Sequence, residues 1–321
     1  MTAVPEAVGT ATTAARCAEV LDAIETVVVG RRRALELVLL GILGRGHVLI
    51  EDVPGLGKTL IARCFSQALD LTFSRVQFTP DLLPSDLTGL SVFDPASGSF
   101  DFRPGPVFTQ LLLADEINRT PPKTQAALLE AMAEEQVSSD GETRPLPQPF
   151  IVLATDNPIE YEGTYALPEA QLDRFLLRVR LGYLSPADEH EVLARRLRRG
   201  SAAPTVPGVL DAEAVLEMRE SLESVEVRSA VLRYVVELVE ATRAHPQVTV
   251  GASPRGGLAV VALARGQAML EGRDYVTPED VKKVAVPALA HRLSLRPELW
   301  VRRVTGDDVV ADVLGSVTVP S

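Results

Sequence analysis

Cysteine and long apolar runs are both scarce in this chain of 321 residues. The two cysteines, Cys17 and Cys64, stand alone without a paired spacing, so neither a disulfide framework nor a zinc cluster is expected. The longest apolar run, residues 37–43, is far shorter than the roughly 20 residues that a membrane-spanning helix requires. The first basic residue is Arg16, and no apolar segment typical of a secretory signal follows it. We therefore expect a cytoplasmic protein without a membrane span.

Positive charge is also in short supply. The sequence has 32 lysine and arginine residues against 43 aspartate and glutamate residues, which gives a net charge of −11. This balance disfavours sequence-independent binding to nucleic acid phosphates, and no tract combines aromatic with basic residues as base stacking requires. Nucleic acid is therefore a disfavoured partner, although a ring of subunits can hold a local basic channel. The length predicts two domains, and the composition is typical of a soluble α/β protein.

The most informative stretch is residues 47–59. An apolar run short enough for a buried strand meets a Pro-Gly turn and then Gly-Lys-Thr, and residues 60–69 follow with a helical pattern. Glycines let backbone N–H groups and the helix N-terminus point at one anion, while Lys58 supplies a charge and Thr59 a hydroxyl for Mg²⁺. The general pattern has glycine where this chain has Asp52, and a plain connecting turn is the alternative interpretation. We assign nucleotide binding to Pro54, Gly55, Leu56, Gly57, Lys58, Thr59 and Leu60.

A second apolar segment, residues 27–30, lies just upstream of this stretch. It separates a predicted helix over 14–26 from another that begins near Arg32. Val29 and Gly30 could line the pocket for a nucleotide base. On spacing alone, an ordinary connection between two helices is an equally good interpretation.

An apolar strand, residues 111–114, ends in two adjacent carboxylates, Asp115 and Glu116. Such a strand end is the natural second half of a nucleotide site in a parallel sheet. Because neighbouring side chains along a strand point in different directions, we assign Asp115 to Mg²⁺ and Glu116 to the polarisation of a water molecule. Burying two carboxylates for purely structural reasons would be costly. The apolar strand 150–154 delivers Asn157 to the same edge of the sheet.

The remaining pattern predicts the fold. Alternating segments around turns indicate β-hairpins over residues 90–102 and 137–143. We predict an α/β fold with a parallel five-stranded sheet and β-hairpin insertions over residues 1–183, followed by an all-α domain over 184–321. Three helices of the second part are predicted to begin at a capping residue followed by proline, namely at Ser185, Ser253 and Thr277.

Taken together, several stretches resemble those of one known family: residues 51–59, 77–86, 114–119 and 167–175. Each is similar to a stretch of the MoxR-family AAA+ ATPases, and the resemblance runs from about Val27 to Leu293. A lone phosphate loop occurs in many folds, whereas four such stretches in this order are highly specific. The resemblance implies a P-loop NTPase core followed by a helical lid domain, with ATP and Mg²⁺ as ligands.

The resemblance also implies roles for single residues. Asn157 becomes the first sensor of the γ-phosphate, Arg174 the arginine finger offered to a neighbouring subunit, and Arg255 the second sensor on the lid, in cis or in trans. An arginine supplied in trans can accelerate phosphoryl transfer by roughly 10³ to 10⁵. Either arginine could instead be a solvated surface residue, and Arg119 is equally compatible with a subunit contact or a surface position. Relatives usually carry glutamine where this chain has Asp156, which we expect to point away from the phosphates.

These assignments lead to three hypotheses for the function. The first is a Mg²⁺-dependent ATPase that works as a ring, expected to be a homo-hexamer, and remodels or matures a protein client. The second is a slow nucleotide-gated switch for a partner protein, and the family resemblance suggests one with a von Willebrand factor A domain. The third, a nucleic-acid motor, is disfavoured by the acidic charge. The resemblance makes the hairpins candidates for a face that contacts a client or lines a pore.

Overall fold

A five-stranded parallel sheet lies at the centre of the computed structural model, which describes residues 9–53, 55–96, 98–157, 164–296 and 304–320. The first part of the chain contains, in order, α1 (Thr10–Glu25), α2 (Arg32–Leu43), β1 (Val48–Glu51), α3 (Lys58–Ala68), β2 (Phe73–Gln77), α4 (Pro84–Thr88), β3 (Gly89–Asp94), β4 (Ser99–Pro104), β5 (Leu111–Asp115), a 3-10 turn (Ile117–Arg119), α5 (Pro122–Glu134), β6 (Gln136–Ser139), β7 (Glu142–Pro145), β8 (Ile151–Asp156), α6 (Glu169–Leu172) and β9 (Leu177–Val179).

The sheet confirms the predicted α/β fold. Its strands lie in the order β2-β5-β8-β1-β9, and every neighbouring pair is parallel. Successive residues of β5 and β8 pack into two separate apolar clusters, so both faces of the sheet are covered, as expected for short apolar strands. Parallel pairing brings the carboxyl ends of the strands to one edge. Glu51, Asp115 and Asp156 therefore lie along that edge.

Both predicted hairpins are present as antiparallel pairs, β3 with β4 and β6 with β7. They also contact each other. Ser91 donates a hydrogen bond of 2.5 Å to the Asp140 carboxylate, and the Arg144 guanidinium lies 3.9 Å from the centre of the Phe102 ring. The two insertions therefore form one joint surface on the outside of the core.

The second part of the chain is helical, as predicted. It contains α7 (Pro186–Arg199), α8 (Ala212–Glu223), α9 (Ser229–Ala244), β10 (Val248–Val250), α10 (Pro254–Leu270), α11 (Pro278–Leu289), a 3-10 turn (Ala290–Arg292), β11 (Ser294–Leu295) and α12 (Gly306–Ser316).

The predicted capping residues begin their helices. Ser185 accepts a hydrogen bond from the Asp188 N–H, Ser253 from the Arg255 N–H, and Thr277 forms a reciprocal capping box with Asp280. Two details of this part differ from the prediction. A small antiparallel ribbon of β10 and β11 interrupts the helices, and α8 was not recognised in the sequence.

The helical part packs directly on the first part of the chain. One apolar cluster joins side chains of α1 and α2 with those of the sheet and of α8 to α11. The boundary predicted between residues 183 and 184 consequently divides a continuous core, and it stays a prediction. Among the residues that the structure describes, every helix is too short or too polar to cross a membrane.

Candidate nucleotide-binding site

The loop after β1 has the backbone of a phosphate-binding turn. Gly55 and Gly57 have φ angles of +86° and +89°, where residues with a Cβ are strained. An added Cβ at either position would have open space around it, so the requirement for glycine is conformational. Gly57 is the N-cap of α3, so the unpaired N–H groups of the first turn of this helix face the loop. The predicted Pro54 lies outside the described residues.

Lys58 extends along the floor of this loop. Its side chain is buried, and Nζ donates to the Asp52 carbonyl oxygen at 2.6 Å and to the Asp156 carbonyl oxygen at 3.4 Å. Burial lowers the pKa of Lys58, and the carboxylates of Asp115 and Asp52 oppose that shift. An ammonium group with three donors retains one N–H for an anion above the loop.

Nearly all the predicted phosphate and hydrolysis residues line a single cavity of about 430 Å³. Its walls come from the phosphate loop, the start of α3 and the carboxyl ends of β2, β5 and β8. The lining residues are Gly55, Gly57, Lys58, Thr59, Leu60, Arg75, Gln77, Asp115, Glu116 and Asn157. We call this space the phosphate cavity. Asn157 is 3% exposed, so its amide has little room to adopt other positions.

Asp115 is held from two sides. The Thr155 hydroxyl donates to Oδ1 at 2.7 Å, and Arg75 donates to Oδ2 from Nε at 3.1 Å and from Nη2 at 2.7 Å. The guanidinium therefore neutralises a carboxylate that is only 9% exposed. Arg75 was missed in the sequence, although it lies with Gln77 on one face of β2, where two polar residues alternate with Val76.

Glu116 has a strained backbone and a fixed side chain. Its φ angle of +58° is rare for a residue with a Cβ, and such strain is common at functional sites. Gln77 donates to Oε2 at 2.7 Å, and Arg119 Nε lies 3.0 Å from the same oxygen. Arg119, for which the sequence left a subunit contact or a surface position open, thus pairs with Glu116 of its own chain.

The departure from the general phosphate-loop pattern has a structural explanation. Asp52, which replaces a glycine of that pattern, accepts hydrogen bonds of 2.7 Å from the N–H groups of both Leu181 and Gly182. Its other carboxylate oxygen accepts from the Val53 N–H at 2.9 Å. Asp52 therefore ties the end of β1 to the segment that leaves the sheet for the helical part.

Asp156, the other unusual residue, is not among the described residues that line the phosphate cavity. It pairs in register with Glu51 on β1, and its Oδ1 is buried without a hydrogen-bond partner in the described part of the chain. Burial and the charge of Glu51 raise the pKa of Asp156 to about 6. This placement agrees with the expectation that the carboxylate points away from the phosphates.

A second cavity, of about 390 Å³, adjoins the phosphate loop on the side of α7 and favours the base-pocket interpretation. Val29 and Leu60 line it, together with Leu56. The predicted Gly30 is not among its lining residues. Its φ angle is +67°, and an added Cβ would lie 2.6 Å from Asp188 Cγ, so this glycine permits a close approach to α7.

Arg174 and Arg255 do not reach the phosphate cavity of their own chain. Both are exposed, and they line another cavity of about 350 Å³ that shares no lining residue with it. Arg174 Nη1 donates to the Leu129 carbonyl oxygen at 2.8 Å, and Arg255 Nη1 lies 4.0 Å from Asp173 Oδ2. The two arginines therefore occupy one surface, next to each other.

The residues present fit a magnesium ion. Thr59 and Asp115 both line the phosphate cavity, and their hydroxyl and carboxylate oxygens are the hard ligands that Mg²⁺ prefers. Magnesium usually takes one or two carboxylates together with substrate phosphates instead of a complete protein cage. Within the described ranges, no group of three or more His, Cys, Asp or Glu side chains is arranged to hold a metal by itself.

Comparison with known families defines the class. The family described as "ATPase family associated with various cellular activities (AAA)" matches residues 47–177, and the family described as "AAA lid domain" matches residues 240–313. Together with the parallel sheet and the phosphate loop, these matches define an AAA+ P-loop ATPase with its lid.

Individual relatives then identify the family within this class. The chain is 43% identical over 306 residues to the chaperone MoxR1 of Mycobacterium tuberculosis, across 92% of this chain and 80% of that protein. It is 34% identical over 325 residues to the protein MoxR of Methylorubrum extorquens, across 93% of each. A solved structure of a protein from Cytophaga hutchinsonii superposes with a TM-score of 0.90 at 40% identity, covering 97% of both chains. The chain belongs to the MoxR family of AAA+ ATPases.

Proposed function

We propose that this protein hydrolyses ATP with Mg²⁺ and that the residues gathered at the carboxyl edge of the sheet perform the reaction. The observation that carries the proposal is the convergence of Lys58, Thr59, Asp115, Glu116 and Asn157 in one cavity at the N-terminus of a helix. An ammonium, a hydroxyl, two carboxylates and an amide are the groups that phosphoryl transfer uses.

Each residue has a proposed role in the reaction. Lys58 and the loop N–H groups bind the phosphates, and Thr59 with Asp115 would hold Mg²⁺. The bound ion would neutralise charge on the phosphate oxygens. Arg75 keeps the Asp115 carboxylate oriented, and the Asn157 amide orients the attacking water.

Glu116 polarises that water. The contacts from Gln77 and Arg119 both involve Oε2. We therefore assign Oε1 to the water, because the other oxygen is already engaged. A carboxylate held in this way is already oriented when the water binds.

The protein is proposed to act as a ring, with a homo-hexamer as the expected form. Arg174 and Arg255 lie side by side on a surface away from the phosphate cavity of their own chain. For either of these two guanidinium groups to reach bound phosphates, the phosphates must belong to a neighbouring subunit, which is the geometry of a heterologous, ring-closing interface. Their common position supports a trans role for both, which the sequence left open for Arg255.

The work of the ring is proposed to be the remodelling or maturation of a protein client. The relative from Mycobacterium tuberculosis is named a chaperone. The first hairpin exposes a pair of aromatic rings, Phe93 and Phe100, which are 51% and 71% exposed and have centroids 5.3 Å apart. Exposed apolar groups of this size are typical of surfaces that bind other proteins. A partner with a von Willebrand factor A domain and the cytoplasmic location stay predictions from the sequence.

Substitution of the proposed base tests the reaction. Glu116→Gln keeps the size and the contacts to Gln77 and Arg119, yet it removes the negative charge that polarises water. We expect turnover to fall by about 10² to 10⁴, the usual range for loss of a general base, while ATP binding is retained. Phosphate release gives the turnover, and a fluorescent ATP analogue gives the affinity.

Lys58→Ala is the matched control, because it is expected to weaken nucleotide binding itself. Equal turnover in wild type and Glu116→Gln would remove Glu116 as the base. Wild-type affinity for ATP and Mg²⁺ in Lys58→Ala would overturn the whole assignment of the phosphate cavity.

A second candidate function is the nucleotide-gated switch, which is favoured by the ion pairs that Asp115 and Glu116 form. Arg75 contacts Asp115 and Arg119 contacts Glu116, so each acid is engaged by an arginine of its own chain. Such pairing would slow hydrolysis and prolong the nucleotide-bound state. A turnover below about one per minute is well under the usual range for enzymes. If turnover stays below this value even when a client is present, the switch is favoured.

A further inference from the structure

Arg292 is a buried arginine whose hydrogen-bonding capacity is fully used. It ends the 3-10 turn after α11, and its side chain is 2% exposed. Nε donates to the Ala288 carbonyl oxygen at 2.7 Å. The four N–H groups of Nη1 and Nη2 have four acceptors: the Asp173 carbonyl at 2.8 Å, the Asp173 carboxylate, the Phe175 carbonyl at 2.6 Å and the Leu176 carbonyl at 3.3 Å.

These acceptors surround the proposed arginine finger. Asp173 and Phe175 are the residues immediately before and after Arg174, and Arg292 contacts the carbonyl oxygens of both. His291 adds a hydrogen bond of 3.2 Å to the Phe175 carbonyl. The backbone that carries Arg174 is therefore held by the lid, although Arg174 itself belongs to the core.

The same junction reaches the start of α10. The Ser253 hydroxyl donates to the Asp173 carboxylate at 3.1 Å, and Ser253 is the N-cap of the helix that carries Arg255. Gly256 allows this close packing, since an added Cβ would lie 3.3 Å from Arg292 Cδ. Asp173 thus contacts the lid through Ser253 and Arg292 and lies beside both of the arginines proposed to act in trans.

We infer that Arg292 is a positioning residue for Arg174 and that, through it, the lid determines where the finger points toward the neighbouring subunit. This inference rests on the trans role of Arg174 in the proposed function. A movement of the lid would move the carbonyl groups on both sides of Arg174. The position of the lid in one subunit would thereby set the hydrolysis rate in the next.

The chemistry of the junction requires arginine. A guanidinium has five donors in a rigid plane, which matches three carbonyls and a carboxylate on one side and the Ala288 carbonyl on the other. Lysine has three donors on a flexible stem, so it could keep the charge opposite Asp173 but would lose contacts to the backbone beside Arg174.

Kinetics of Arg292→Gln and Arg292→Lys test the inference. We expect the KM for ATP to stay unchanged, because neither Arg292 nor the residues that accept its hydrogen bonds line the phosphate cavity of their own chain. The turnover of Arg292→Gln should fall by about 10², the loss expected when a reacting group is misplaced by an ångström, and Arg292→Lys should lie between it and wild type. The double variant Arg174→Ala with Arg292→Gln should be as slow as Arg174→Ala alone, because both substitutions remove one interaction.

Arg273→Gln is the matched control. Arg273 is another lid arginine with several hydrogen bonds, to the Asp280 carboxylate at 2.8 and 2.6 Å and to the Tyr275 carbonyl at 2.9 Å, but all of these lie within the lid. The substitution Arg273→Gln should lower the unfolding temperature without changing turnover. If Arg273→Gln slows hydrolysis as much as Arg292→Gln, general loosening of the lid explains the effect and the inference is overturned.

The outcomes separate this inference from the proposed function. Wild-type turnover in Arg174→Ala would show that the finger assignment itself is wrong. Slow turnover in Arg174→Ala with wild-type turnover in Arg292→Gln would overturn the positioning role alone. Should Arg292→Gln fail to fold, Arg292→Lys decides the matter, and wild-type turnover in that variant would contradict the inference.

Discussion

Asp156 is a carboxylate in surroundings that oppose its ionisation. Burial and the neighbouring charge of Glu51 raise its pKa to about 6 from 3.8, while the Asn157 N–H and the Lys58 ammonium act in the opposite direction. A folded-state pKa above the unfolded value contributes stability that is fully present below 3.8 and is lost as the pH rises through about 6. At neutral pH the charged side chain therefore destabilises the folded protein.

Replacement by the neutral isostere should stabilise the protein. We expect Asp156→Asn to raise the free energy of unfolding by about 3 kcal/mol near pH 7.5, since each pKa unit corresponds to about 1.4 kcal/mol. The gain should shrink as the pH falls through 6, because the wild-type carboxyl then becomes neutral as well. Urea unfolding of the nucleotide-free protein across this pH range measures the effect.

The control for this prediction is an exposed carboxylate. Asp101 lies on β4 with its side chain in solvent, so Asp101→Asn should leave the unfolding free energy close to wild type at every pH. An Asp156→Asn protein that is less stable than wild type near pH 7.5, or one whose gain does not vary with pH, would contradict this account of Asp156.

The last helix, α12, is attached to the sheet by four charged residues. Arg178 on β9 and Arg180 just after it both contact the Glu51 carboxylate, at 2.8 and 2.6 Å, and both contact Asp307 in the first turn of α12. Burial alone would raise the pKa of Glu51, but the two guanidinium groups outweigh it and hold the pKa below its usual value. Opposite charges on three elements thus fix α12 against the end of β1.

The two arginines of this network should differ in importance, because the Arg178 side chain is 11% exposed and that of Arg180 is 42% exposed. We expect Arg178→Met to cost about 3 kcal/mol of unfolding free energy, as for a broken buried ion pair. Arg180→Met should cost less than about 1 kcal/mol, as for a surface pair. Thermal or urea unfolding of the two variants provides the comparison, and each variant serves as the control for the other. Equal losses of unfolding free energy would show that burial does not determine how much each arginine contributes to stability.

For the whole molecule, the proposed ring predicts complementation between defective subunits. Lys58→Ala damages the nucleotide site but keeps the finger, whereas Arg174→Ala keeps the site but removes the finger. Mixing the two should restore hydrolysis wherever an intact site faces an intact finger. In a closed ring of random, equal composition this holds at about a quarter of the interfaces. Phosphate release from the mixture and from each variant alone provides the comparison.

A mixture of Lys58→Ala with Glu116→Gln is the matched control. Each of these subunits has a damaged site and a normal finger, so no interface becomes complete and turnover should stay low. Size-exclusion chromatography must first show that Lys58→Ala and Arg174→Ala enter the same assembly. If the turnover of their mixture then does not exceed that of each variant alone, Arg174 does not act across subunits.

Local sequence was sufficient for the phosphate loop, the core strands and the helix starts. The loop is specified within residues 47–59, where an apolar strand, two glycines with positive φ and a helix N-terminus follow one another. The starts of α7, α10 and α11 are likewise local, since a capping side chain and a proline need only their own helix. The parallel sheet then brought Lys58, Asp115 and Asn157 to one edge, as the strand ends implied.

Other features depend on contacts between residues that are far apart in the chain. The periodicity of apolar residues cannot predict such contacts. Arg75 meets Asp115 across 40 residues, and Arg292 meets Asp173 across 119. The β10-β11 ribbon pairs two short segments, Val248–Val250 and Ser294–Leu295. Segments this short do not show the alternating pattern by which a strand is recognised in a sequence. Motifs determined by backbone preference could thus be predicted from the sequence. The partners of buried charges could not, because which acceptor a guanidinium reaches is set by how whole elements pack.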